Sequence, residues 1–138
     1  PIDEEQRIAI TARLEALTKE FGNAILVGER TRELAQETFL FRELDLVRVT
    51  GRQSRARIFE LVGTHAAAAL SSAAIELYAS ALGAYRAREW SLAEERFARF
   101  AVEHPDDGPC QVMRARVAAL REHPPGDDWD GVYAQRSK

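Results

Sequence analysis

What the chain has little of narrows it first. It carries a single cysteine, Cys110, so no disulfide forms within it and a disulfide-stapled secreted scaffold is excluded. A reducing compartment suits such a chain, and a cytoplasmic location is the expectation. There is no long apolar run. The longest weakly polar stretch, Ala66 to Ile75, is alanine and serine, too short to cross a bilayer, which takes roughly 20 apolar residues. No secretory leader is legible. Positive charge is not in excess: 19 Lys and Arg against 22 Asp and Glu leave a net charge of -3. Nucleic-acid binders carry a basic face, which this balance does not offer. Glycine-rich phosphate loops and nucleophile motifs are also missing.

What remains is a chain of 138 residues, 46% hydrophobic and 30% charged. That is enough for one domain, or for a half-domain with an appendage. The first residue is Pro1 rather than methionine, and the expectation is a trimmed chain that belongs to something larger.

The first element is an amphipathic helix, expected from about Glu4 to Phe21. Ile10, Leu14, Leu17 and Phe21 fall at i, i+4, i+7 and i+11, one continuous face of a 3.6-residue period. Asp3 with Gln6 has capping-box spacing, acidic residues suit the first turn, and Gly22 stands at the C-cap position. Asn23 to Val27 is expected as a short buried strand, and Glu29 to Gln36 as a brief helix with Leu34 inward. From Phe39 to Val49, Phe41, Leu44, Leu46, Val47 and Val49 are interleaved with Arg42, Glu43, Asp45 and Arg48. After the turn Gly51-Arg52-Gln53-Ser54, the alternation resumes from Ala56 to Leu61. Two period-two runs around a glycine-containing turn predict a β-hairpin.

From about His65 the pattern is helical. A long alanine-rich helix is expected from His65 to Arg86, with Leu70, Ile75, Tyr78, Leu82 and Tyr85 on one side. A break follows at Ala87-Arg88-Glu89. The next helix is expected to start at Ser91, whose spacing to Glu94 is that of a capping box, and to carry Phe97, Phe100 and Ala101 inward. His104 to Pro109 interrupts again, and a third helix over about Cys110 to Arg121 buries Val112, Val117 and Leu120. The irregular tail is expected to dock through Trp129, Val132 and Tyr133. The fold class is therefore α+β with helix predominating: an α+β unit over 1–63 and an α-helical unit over 64–138.

Few residues stand out chemically. His65, His104 and His123 are scattered without partners at ligand spacing, and Cys110 reads as a small buried hydrophobe. Asp3, Glu4 and Glu5 read as helix capping rather than metal ligands. Arg52, Arg55 and Arg57 make a basic rim on the hairpin turn, for which a solvated face is the favoured reading. No metal site is expected. In the helical unit, Ala93, Phe97 and Pro105 resemble the second half of a tetratricopeptide repeat, with Tyr78 and Tyr85 in its first half. A free-standing solenoid needs roughly three repeats, so a helical hairpin packed on the first unit or on a second copy is favoured.

Read in order, ARLEALTKEFG, ILVGERTREL, FRELDLVRVTGR, ARIFEL and PPGDDWDGVY resemble the C-terminal part of the catalytic domain of class III nucleotidyl cyclases. The resemblance covers Ile8 to about Leu61 and extends more loosely through the tail. It implies a partial, ferredoxin-like cyclase half-domain. The implied activity is that of an adenylate cyclase, a lyase of cAMP biosynthesis and signalling that makes cyclic AMP and pyrophosphate from ATP at a dimer interface. The family uses Mg or Mn held by two aspartates, with an asparagine and an arginine for the ribose and the transition state. Carried over, that arginine is Arg13, the catalytic candidate. The asparagine position falls on Ala9 and the phosphate-binding lysine position on Thr50. Arg52, close by, is the substitute substrate-binding candidate. The metal aspartates belong to the first half of the family's domain, so this chain is expected to bind no cofactor and to be inactive alone. The implied partners are the missing N-terminal half or a second copy, with a protein partner for the helical tail. A half-sheet with open edges and an uncovered Ile10-Leu14-Leu17-Phe21 face predicts self-association. The other reading is a non-catalytic cyclase-like module for dimerisation or protein interaction, favoured by Ala9 and Thr50.

Overall fold

The computed structural model describes residues 4–22, 24–48 and 55–133, with backbone alone at 6–7 and 9–13. The chain divides into two compact units, Pro1–Ala68 and Ala69–Lys138. The class is α+β with helix predominating. The described elements are α1 (Glu4–Glu20), β1 (Leu26–Gly28), α2 (Glu29–Ala35), β2 (Phe39–Arg48), β3 (Arg55–Thr64), α3 (Ser72–Arg86), α4 (Trp90–Glu103) and α5 (Gly108–Glu122).

In the first unit, α1 opens with Glu4 and Glu5, acidic residues that suit its positive end. The expected cap Asp3 lies outside the described residues. The helix ends one residue short of Phe21, where Gly22 takes φ 81°, the left-handed conformation that glycine adopts without a steric penalty. Leu17 and Phe21 are buried, and α1 packs against β1. That part of the apolar face is therefore covered within the unit, contrary to the expectation of an open face.

The sheet is antiparallel, in the order β1-β3-β2. β1 is shorter than expected and only half-buried, as befits an outer strand paired on one side. Leu34 does not point inward: it is 71% exposed. Helix α2 buries no residue and meets the sheet through Arg32, whose guanidinium lies 5.1 Å from the Phe59 ring centroid. β2 and β3 form the expected hairpin, from Phe39 opposite Thr64 to Arg48 opposite Arg55. Its turn lies outside the described residues. The register shifts between Glu43 and Asp45, so Leu44 is an extra residue. A bulge of this kind exchanges the faces of the strand beyond it, and Leu44 and Asp45 are consequently both buried. Arg42 and Asp45, expected outward, are inward.

The second unit packs α3 on α4 and α4 on α5. Tyr78 of α3 stands edge-on to Phe97 at 5.3 Å and to Phe100 at 5.5 Å, all three buried. Helix α3 begins at Ser72 rather than His65, because the Ser71 hydroxyl accepts from the Ala74 amide and caps it there. Helix α4 begins at Trp90 with no side-chain cap. The expected Ser91–Glu94 capping box is not formed, and Glu94 instead accepts from Arg121 at 2.9 Å. Helix α5 starts two residues earlier than expected, at Gly108, with Asp107 as its cap, Oδ2 accepting from the Cys110 amide at 2.9 Å. Asp107→Ala is expected to lower the unit's stability by about 1 kcal/mol, read as a shift of the urea midpoint of tryptophan fluorescence. Both tryptophans of the chain, Trp90 and Trp129, lie in this unit.

Candidate functional site

Arg13 lies in the middle of α1, with Ala9 one turn earlier on the same helix. That spacing sets the two positions on one face, while the side chain of Arg13 lies outside the described residues. Thr50 and Arg52, in the turn between β2 and β3, also lie outside them. Of the basic rim, Arg57 is engaged on two sides, 3.4 Å from Glu29 and 3.5 Å from Glu43. Arg55 is exposed opposite Arg48. A cation held between two carboxylates is a structural tie rather than a free anion receptor, so Arg57 does not extend the rim.

Among the described residues of this unit, the most deeply buried charge is Arg42. It is 1% exposed, and its guanidinium donates through Nε to Glu60 Oε1 at 2.7 Å and through Nη2 to the same oxygen. Arg42 and Glu60 are direct cross-strand partners, the position at which opposite charges meet on a sheet. Alternation within either strand does not show this pair. The available signal was an arginine on one run and a glutamate on the other, at positions the hairpin register brings opposite.

Among the described residues, no three His, Cys, Asp or Glu side chains come together as a metal set. His65 is exposed and lies 3.0 Å from the Gln36 carbonyl, and His123 is exposed. His104 stacks at 4.9 Å on Phe100. Cys110 is buried and its thiol donates to the Phe97 carbonyl at 3.3 Å.

The second unit carries a denser constellation, at the turn from α3 to α4. Trp129 lies edge-on to Tyr85 at 5.5 Å and tilted against Trp90 at 5.6 Å. The tail thus docks through Trp129, as its sequence suggested, and Tyr133 lies under the buried Arg116, ring centroid 4.5 Å from the guanidinium carbon. Arg88 donates to the carbonyls of Pro125, at 3.2 Å, and Gly126. Two cavities flank this region. One, of about 480 Å³, is lined by Arg88, Trp90, Ser91 and Arg121. The other, of about 470 Å³, is lined by Leu120, His123, Pro125, Trp129 and Tyr133. Neither brings together an acid, a base and a nucleophile.

No helix among the described residues is long and apolar enough to cross a membrane. No family model, curated protein or solved structure matches the chain.

Proposed function

We propose that this chain is the C-terminal part of a class III adenylate cyclase catalytic domain, followed by a tetratricopeptide-like helical tail, and that it is silent by itself. The observation that carries the reading is the order of its sequence pieces. ARLEALTKEFG runs through α1, ILVGERTREL spans β1 and α2, FRELDLVRVTGR enters β2, and ARIFEL lies on β3. Four of the five pieces fall on regular elements in this way, and the fifth, PPGDDWDGVY, lies in the irregular tail after α5. Arg13 is this chain's contribution to chemistry, a fixed cation for the charge that builds on the phosphorus oxygens in the transition state. Ala9 in place of an asparagine and Thr50 in place of a lysine leave the ribose and the phosphates without their usual donors. The metal-holding half must come from elsewhere, either a preceding segment or a partner.

The test is cyclic-nucleotide production from ATP and from GTP with manganese, for this chain and for the same chain joined to a first half carrying both aspartates. Activity is expected for the joined form alone, and Arg13→Ala is expected to lower it by about 100-fold or more. Ala9 and Thr50 favour a second reading, a cyclase-like module that binds a second copy or another protein without chemistry. If the joined form is inactive while the short chain self-associates tightly in light scattering, the second reading replaces the first.

A further inference from the structure

The turn from α3 to α4 holds a residue in an unusual conformation. Arg88 has φ 65°, and among the described residues it is the non-glycine residue with positive φ. Glycine takes this conformation freely at a helix end, and a long side chain does so only where its surroundings over-determine it. Here the side chain supplies that determination. Nη1 donates to Pro125 O at 3.2 Å, Nη2 donates to Gly126 O, and the guanidinium carbon sits 5.6 Å from the Trp129 ring centroid. A planar guanidinium presents paired donors and a flat face, and the segment 124–133 offers two carbonyls and an indole that meet both.

The segment is also folded on itself. The Trp129 amide donates to Gly126 O at 3.0 Å, the Trp129 indole to Val132 O at 2.8 Å, and the Val132 amide to Asp130 Oδ1 at 3.2 Å. These bonds are internal to the loop, and with its hold lost a segment this short opens them to exchange. Behind it, the cavity of about 470 Å³ lies between the end of α5, at Ala119 and Leu120, and Trp129 and Tyr133. The loop meets α5 through Tyr133, whose ring centroid lies 4.5 Å from the guanidinium carbon of Arg116. Its other hold is the corner formed by Arg88, Tyr85 and Trp90.

We infer that this corner is a peptide-recognition site whose occupant is the chain's own 124–133 segment, a preorganised loop that leaves and rebinds as one unit while α3, α4 and α5 stay folded. The occupant's chemistry is a pair of carbonyls after consecutive prolines, followed by a tryptophan that stacks on two rings. Arg88 is the positioning residue of the latch. The inference stands independently of the cyclase reading.

Native-state hydrogen exchange on the full chain tests it, comparing wild type with Arg88→Gly. Glycine keeps the positive φ of the turn and removes the clamp, so the helices are expected to remain. In wild type, the Trp129 and Val132 amides should exchange about 100-fold or more faster than the core amides of Tyr78 and Phe97, as a locally opening unit does. Arg88→Gly should speed the Trp129 and Val132 amides by a further factor of about 10 and leave the helix amides unchanged. Exchange of the loop in step with the helix core, or a loop rate unchanged in Arg88→Gly, overturns the inference. A labelled peptide spanning Pro124 to Tyr133 provides a second arm by fluorescence anisotropy. It should bind the full chain carrying Trp129→Ala about 10-fold more tightly than wild type, where the site is filled, and lose that binding when Arg88→Gly is added. Equal binding to all three chains overturns recognition at this corner. Should Trp129→Ala lose its helical circular dichroism, the exchange comparison on wild type and Arg88→Gly decides alone.

Discussion

Phe97→Ala is expected to unfold the helical unit under conditions where the wild type is folded. The ring is fully buried and receives the edge of Tyr78 at 5.3 Å, while the backbone carbonyl of the same residue accepts the Cys110 thiol. Truncation removes a large, fully buried ring between α3 and α4 and leaves a cavity there. Losses of about 3 to 5 kcal/mol are typical for buried Phe→Ala. A unit of this length has a stability on the order of 5 kcal/mol, at roughly 0.05 to 0.15 kcal/mol per residue. The substitution therefore consumes most of it. Fluorescence of Trp90 and Trp129 in urea is the measurement: the expected outcome is a midpoint near zero denaturant. A midpoint within a few tenths molar of wild type would show that the ring is not central to this core. Phe97→Leu keeps most of the volume and is expected to cost about half as much or less.

The second large effect lies in the sheet. Glu60→Ala is expected to destabilise the first unit by about 3 kcal/mol, because it leaves the Arg42 guanidinium buried beside β3 without the carboxylate opposite it. Glu60 keeps a side-chain exposure of 17%, so water partly replaces it, and the loss belongs at the lower end of the range for broken buried pairs. Replacing both members, Arg42→Met with Glu60→Leu, is expected to restore most of the stability, since a well-packed apolar pair carries no desolvation penalty. Hydrogen exchange at β2 and β3 amides reads the unit directly. A double substitution as damaging as Glu60→Ala alone would mean that Arg42 acts through its other contacts rather than through this pair.

Much of the fold was legible because its signals are local. The i, i+3, i+7 spacing of Leu14, Leu17 and Phe21 marked α1, and two alternating runs around a glycine turn marked the β2–β3 hairpin. Errors arose where one local signal competed with another. His65 to Leu70 has helical composition, yet Ser71 caps α3 at a later point. Ser91 and Glu94 have capping-box spacing, yet Glu94 is drawn to Arg121, 27 residues further on. Leu34 is apolar and at helical spacing, but α2 is too short to lay a face on the sheet. The candidate site divides the same way. Arg13 lies on a helix that apolar spacing marked, whereas the buried Arg42 and the clamped Arg88 had no mark in the pattern.

By itself, the sequence determined the α+β class, the run of helices after the hairpin, the buried character of Cys110 and the docking of the tail through Trp129. All of these follow from composition or from periods within one element. Tertiary structure alone decided which charges go inside and which backbone is strained. Arg42 is buried because the register sets Glu60 opposite it, across 18 residues of chain, and the bulge at Leu44 turns Asp45 inward. Arg88 holds its positive φ because carbonyls 37 and 38 residues away accept from it. Hydrophobic periodicity records how one segment faces a core, but a buried charge depends on a partner that only folding brings within hydrogen-bond reach.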